Sequence, residues 1–260
     1  MLGIRYTVVL TATIAPKVCG GQTITRSNPG VRLQDYKDSL AWWLSQRRDW
    51  MAGIVFAENS GSDLTCLREF VNANNPHSVP VEFISFDHPA PPEGLHYGYS
   101  EFILVREALL ASKLALKTTH LIKATGRYRF PNIERLVRRL PHDYSIACEC
   151  RCNRLLSKHR HLFTTFALLP CRRSFFLERL AHLPETMVPA PPWTRSQFIE
   201  DVLFDYLAPL KTDPSIIYRW PCNCEPEGVG ANGDNYATPR KRIQNAIRAV
   251  ARVILPRLWL

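Results

Sequence analysis

The feature that most constrains this chain is a switch of hydrophobic period, repeated down its first half. Tyr6 to Thr13 is a β-branched apolar run, while Leu33, Tyr36, Leu40 and Trp43 recur at helical spacing within residues 33 to 44. Ile54-Val55-Phe56-Ala57 is a second strand-like run, followed by Ser62 as the expected helix cap and by Leu64, Leu67, Phe70 and Val71 at helical spacing. Val81 to Phe86 and a Pro-rich loop at 89 to 92 continue the pattern. Ser100 is then expected to cap a long helix carrying Ile103, Leu110 and Leu114, and His120 to Ala124 makes a fourth strand. Strands alternating with helices require crossover connections, so the expected fold class is α/β, a mainly parallel sheet with helices on both faces. Beyond residue 140 the pattern thins to short strands near 144 to 149 and 162 to 167, and helices near 172 to 182 and 195 to 208. Residues 225 to 236 hold three glycines and are expected to form a mobile loop.

With 260 residues, 46% of them hydrophobic, the chain can bury one substantial core. No stretch approaches the ~20 apolar residues of a membrane-crossing helix, and the start has no secretory pattern, so a cytoplasmic location is expected. That location favours reduced thiols for the eight cysteines. Cys148, Cys150 and Cys152, and the pair Cys222 and Cys224, are spaced by one residue. Such spacing suits one face of a strand better than a zinc site. Of the ten net positive charges, six fall between Arg240 and residue 260, where no acidic residue occurs. Nucleic acid is therefore a weak expectation for the body of the chain. Thr238-Pro239 is a strong helix start, and the basic segment 239 to 260 reads as an amphipathic helix, with Ile243, Ile247, Val250 and Ile254 on one stripe and Lys241, Arg248 and Arg252 opposite. The favoured expectation docks that stripe on the core and leaves the basic face in water. The sharper one lays the helix, ending in Trp259-Leu260, on an anionic membrane surface.

Ligands of open parallel sheets bind beyond the carboxyl ends of the strands. Three polar loops fall there: Thr11-Ala12-Thr13, Glu58-Asn59-Ser60-Gly61 and Lys123-Ala124-Thr125-Gly126-Arg127. The last combines two cations, a hydroxyl and a glycine, a composition suited to phosphate. Neither a P-loop nor a dinucleotide fingerprint is present.

The stretches Val9-Leu10-Thr11-Ala12-Thr13-Ile14, Arg32-Leu33-Gln34-Asp35-Tyr36, Ile54 to Gly61, Tyr97-Gly98-Tyr99-Ser100-Glu101 and Lys123 to Tyr128 resemble those of bacterial surface-polysaccharide glycosyltransferases. The resemblance covers the first half of the chain. It implies a GT-A-like fold on a Rossmann-type sheet, with a single catalytic domain over 1–238 (a donor half of about 1–140 and an acceptor half of about 141–238) followed by the basic helix. It also implies a nucleotide-sugar donor and a glycan or lipid-linked acceptor. Thr11, Ala12, Thr13, Asn59, Ser60, Gly61, Lys123, Thr125, Gly126 and Arg127 are then the nucleotide and phosphate residues. The Asp-x-Asp that holds a divalent ion in many such enzymes is absent. Either Glu149 helps hold manganese or magnesium, or Lys123, Arg127, Arg172, Arg173, Arg240 and Lys241 supply cations that meet the leaving diphosphate. The second route is favoured. Glu101 and Glu200 are the candidate catalytic bases, with Glu58 and Asp201 behind them. Trp42, Trp43, Trp50 and Trp193 are weaker candidates for stacking on sugar or base, and His159 and His161 read as an exposed basic turn. Nucleotidyl transfer on the same sheet, and a non-catalytic phosphate or nucleic-acid binding module, are the competing expectations.

Overall fold

The computed structural model describes residues 4–17, 24–45, 48–152, 162–191 and 197–254; His159, His161 and Trp193 lie outside them. Strands β1 (Tyr6–Ala12), β2 (Met51–Glu58), β3 (Val81–Ser85) and β4 (His120–Thr125) form a parallel set, joined by helices α1 (Pro29–Leu44), α2 (Thr65–Ala73) and α3 (Gly98–Ala111). The sheet has seven strands in the order β3-β2-β1-β4-β8-β5-β9, completed by β5 (Ile146–Ala147), β8 (Leu168–Arg172) and β9 (Ile216–Ile217). β8 runs antiparallel between β4 and β5. A separate two-stranded ribbon pairs β6 (Cys150–Cys152) with β7 (Leu162–Thr164). The expected α/β fold with a mainly parallel sheet is therefore found.

Alternation along β1 sends Val8 and Leu10 to one face and Val9 to the other, which is why the sheet carries two cores. One joins Tyr36, Leu40 and Trp43 of α1 with Leu67 and Val71 of α2. The other joins Phe102, Val105 and Leu109 of α3 with Ile199 and Leu203 of helix α6 (Ile199–Leu207). α4 (Ile133–Val137) and the short α5 (Arg173–Phe175) complete the elements before α6.

Several local expectations change. α2 begins at Thr65, capped at Leu64, because Asp63 captures the Thr65 N–H and hydroxyl; Ser62 is instead bonded to Ser60. α3 begins at Gly98, so Ser100 lies inside its first turn, and Leu110 points to solvent at 64% exposure. The run expected as a strand at 162 to 167 is strand only over β7, and β8 begins just beyond it at Leu168. The loop 225 to 236 is pinned: Arg129 and Glu227 exchange backbone bonds of 2.9 and 2.8 Å, and the Arg127 guanidinium donates to the Val229 carbonyl at 2.7 Å. Cys148, Cys150, Cys222 and Cys224 are buried core residues, and the described residues contain no cluster of three or more metal-ligating side chains.

The last helix, α7 (Pro239–Ile254), reverses the favoured expectation. Its basic side faces the body: Arg252 donates to the Trp220 carbonyl at 2.6 Å and pairs with Glu149, while Arg248 lies 3.8 Å from Glu225. Ile243, Ile247, Val250, Val253 and Ile254 point outward.

Candidate active site

The chain order reverses between β1 and β4: β2 and β3 extend the sheet on one side of β1 and β4 adds on the other. A crevice opens at such a reversal. Here it is a cavity of about 330 Å³. Thr11, Ala12 and Thr13 line it from β1, Asn59 and Ser60 from the loop after β2, and Thr125 and Arg127 from the end of β4, with Glu101 and Glu200 contributed by α3 and α6. Seven of the ten expected nucleotide-site residues thus share this cavity with both candidate bases.

Two glycines set its geometry. A Cβ on Gly126 would meet the Thr11 carbonyl at 2.7 Å, so only glycine lets the turn after β4 bond back to β1. A Cβ on Gly98 would strike Ile199 at 2.8 Å, and its absence brings the first turns of α3 and α6 together. Glu101 and Glu200 consequently face the same space.

Their environments differ. Glu101 Oε1 accepts from Lys123 Nζ at 2.7 Å, from the Thr11 hydroxyl at 2.6 Å and from the Thr125 hydroxyl at 2.9 Å. Burial alone would raise its pKa, but the Lys123 ammonium and the two hydroxyls outweigh burial and hold the carboxyl below its ordinary range. Lys123 is fully enclosed, donating also to the Phe166 carbonyl at 2.5 Å with its ammonium 4.0 Å from the Phe166 ring centroid. It does not reach the cavity surface, and Thr11 and Thr125 spend their hydroxyl protons on Glu101. These three residues build the floor of the site; none is placed to donate to a phosphate.

Glu200 is the contrasting group. Its Oε2 is enclosed and has no hydrogen-bond partner among the described residues. Burial is the largest cause of a pKa raised to about 7; the backbone N–H works against it, and Glu101 and Asp201 add to the rise. A carboxyl that titrates near neutrality beside a cavity can take a proton at physiological pH. The same burial, with Glu200 and Glu101 nearby, raises Tyr97 on the cavity wall.

The other candidates have structural partners. Glu58 accepts from the backbone N–H of Ile14 at 3.0 Å, Ser60 at 2.9 Å and Ser62 at 3.2 Å, so it ties the loop after β1 to the loop after β2. That engagement leaves it unsuited as a base. Thr13 donates to Asn59 at 2.7 Å across the same junction. Asp201 is buried behind Glu200 and does not line the cavity. Gly61 adopts φ +70° and its N–H bonds to the Phe86 carbonyl, a turn role outside the cavity lining. Glu149 accepts from the Trp220 N–H at 3.0 Å through one oxygen and pairs with Arg252 of α7 through the other, so both oxygens are engaged by protein donors and do not fit a divalent ion. The described residues around the cavity likewise hold no group of three or more His, Cys, Asp or Glu side chains that could hold manganese or magnesium.

Of the expected cations, Arg127 faces the cavity, buried, with its Nε unpartnered. Arg172 pairs in register with His120 at the amino end of β4, the far end of the sheet, and Arg173 follows it. Arg240 and Lys241 belong to α7 and do not line the cavity. Arg151 and Lys17 do line it, paired with Glu225 and Asp87 respectively. Trp43 and Trp50 are core residues and Trp42 packs against Trp43 and Arg48. The aromatic wall is instead Tyr36, Tyr97, Tyr128, Tyr236 and Trp220. Sequence reasoning gave these no role because all five lie outside the three strand-end loops, and single aromatics carry no spacing signal.

No family model matches the chain, and no curated protein does either. Among solved structures, the chain is similar to the inositol-1-phosphate CTP transferase from T. maritima, with a TM-score of 0.50 and 12% identity over 95% of this chain and 97% of that one. At that identity the likeness concerns the fold. Lower scores come from the mannosyltransferase PcManGT of Pyrobaculum calidifontis in complex with GDP-Man and Mn2+ (TM-score 0.47, 13% identity, 97% of this chain and 64% of that one) and from the 4-diphosphocytidyl-2C-methyl-D-erythritol synthase of Anaerococcus prevotii (0.44, 7%, 94% and 95%). The chain thus shares its Rossmann-like α/β fold with the structure of that CTP transferase.

Proposed function

We propose that this chain is a glycosyltransferase that moves a sugar from a nucleotide-sugar donor to a hydroxyl of a glycan or lipid-linked acceptor in surface-polysaccharide synthesis. The observation that carries the reading is Glu200: a carboxyl raised to about 7, with an unpartnered oxygen, facing a cavity at the sheet's reversal point. In a single inverting displacement, the acceptor oxygen bonds to the anomeric carbon as its proton passes to Glu200. The bond from that carbon to the donor's terminal phosphate oxygen breaks, and the nucleoside diphosphate leaves with the electron pair. Arg127 meets the charge on that leaving group, because a guanidinium held in a dry site is preorganised for it. Lys123 and Glu101 act as positioning residues that fix the walls formed by β1, β4 and α3.

Nucleotidyl transfer on the same sheet is the second reading. Its support is the fold likeness to a CTP transferase; the base at Glu200 weighs the other way. A thermal-shift screen of the purified chain against nucleotides and sugar nucleotides, followed by product analysis with the ligands that stabilise it, tests both. A bound ligand in large excess over its dissociation constant raises stability by ~3 kcal/mol. Release of a nucleoside diphosphate is expected; release of pyrophosphate from a nucleoside triphosphate would favour the second reading, and no stabilising nucleotide would sink both.

A further inference from the structure

An amphipathic helix normally buries its apolar stripe and leaves its charges in water. α7 does the opposite. Arg252 and Arg248 turn inward to Glu149 and Glu225, while Ile243, Ile247, Val250, Val253 and Ile254 stand between 56% and 80% exposed. No other stretch of the described chain gathers so many exposed large apolar side chains. A continuous patch of this kind marks a surface that is covered in use.

From this orientation we infer that the outward face of α7 docks on an anionic phospholipid surface. Charge complementarity selects this occupant over a second copy of the chain. No Asp or Glu occurs after Asp234, and Arg240 and Arg242 are exposed at the helix start beside the apolar stripe. Two copies pairing through α7 would set basic helix against basic helix, whereas an anionic leaflet supplies the opposite charge as the apolar stripe enters the headgroup boundary. The inward arginines also join the bound helix to the cavity. Arg252 holds the Trp220 carbonyl and Arg248 neighbours Glu225, both cavity residues. A docked α7 therefore holds the cavity wall within one side-chain layer of the lipid-bound helix. Docking of α7 does not depend on which transfer reaction the cavity performs.

Co-sedimentation of the full chain with vesicles of phosphatidylcholine alone, and of phosphatidylcholine with phosphatidylglycerol, tests it without any activity measurement. The chain is expected to pellet with the mixed vesicles and only weakly with the neutral ones. Ile247→Asp combined with Val250→Asp should reduce partitioning by roughly tenfold or more. Both positions are exposed, so an unchanged circular dichroism spectrum and thermal midpoint are expected. Leu110→Asp, on the exposed side of α3, should bind like the parent chain. Parent-like pelleting of the double variant would overturn the proposal, as would failure of the parent to pellet with mixed vesicles. A dimer in analytical ultracentrifugation that the double variant converts to monomer, without vesicle binding, would assign the face to a second copy and overturn it equally.

Discussion

Two clusters of enclosed charge can be set side by side. At the mouth of the sheet, Glu101 and Glu200 share the single ammonium of Lys123, which bonds to Glu101. Beneath α7, Glu149 has Arg252, and Glu225 has Arg151 at 2.5 Å with Arg248 beyond. In the second cluster each carboxylate has a cation of its own, and the result is mechanical: a helix is fastened to the body by its polar side. In the first, one carboxyl is left over, and burial leaves it the choice of holding a proton or bearing a costly charge. Enclosed charge becomes chemically useful where the pairing is incomplete.

Four experiments test this contrast. The largest effect is expected from Glu200→Gln, which removes the leftover carboxyl: turnover of the donor should fall by about 10²–10⁴-fold with donor affinity kept. Next is Lys123→Met, which strands Glu101 and should lower stability by about 3–5 kcal/mol in urea denaturation. Adding Glu101→Gln should restore much of that loss, since the two residues act as a pair. Arg252→Leu in the second cluster should cost about 2 kcal/mol. Its signature is local, with faster amide exchange confined to α7 and the segment around Trp220, and donor binding preserved. The fourth is the pH dependence of stability. Because the folded-state pKa of Glu200 lies above its ordinary value of 4.5, the burial penalty is absent below about pH 4, grows as pH rises and is complete above about pH 7. Glu200→Gln should therefore be more stable than the parent by about 3 kcal/mol at pH 8 and equal to it at pH 4.

The first half of the fold was legible because its physics is periodic. β1 to β4 alternate with helices long enough to declare a 3.6-residue stripe, and the topology of parallel strands then fixes where a cavity must open. The second half was not, since β5 and β9 span two residues each and β8 enters antiparallel between neighbours that are distant in sequence. Within the site, Glu101 and Glu200 could be nominated from position, but not told apart. Their difference rests on Gly98, on two threonines from other strands and on the one ammonium they compete for. Lys123 shows the same limit: its place after a buried strand suggested a phosphate ligand, and enclosure turned it inward. α7 shows it most plainly. Its periodicity defines two faces, but which of them meets the body depends on Glu149 and Glu225, whose burial no local pattern records.

The most direct test of the central claim is the pH–rate profile of donor turnover for the parent chain, Glu200→Gln and Glu101→Gln. A parent rate that rises through about pH 7, lost as a step in Glu200→Gln and retained in Glu101→Gln at a reduced amplitude, is the expected result. An undiminished rate and an intact step in Glu200→Gln would contradict it, and with it the assignment of the unpaired carboxyl as the base.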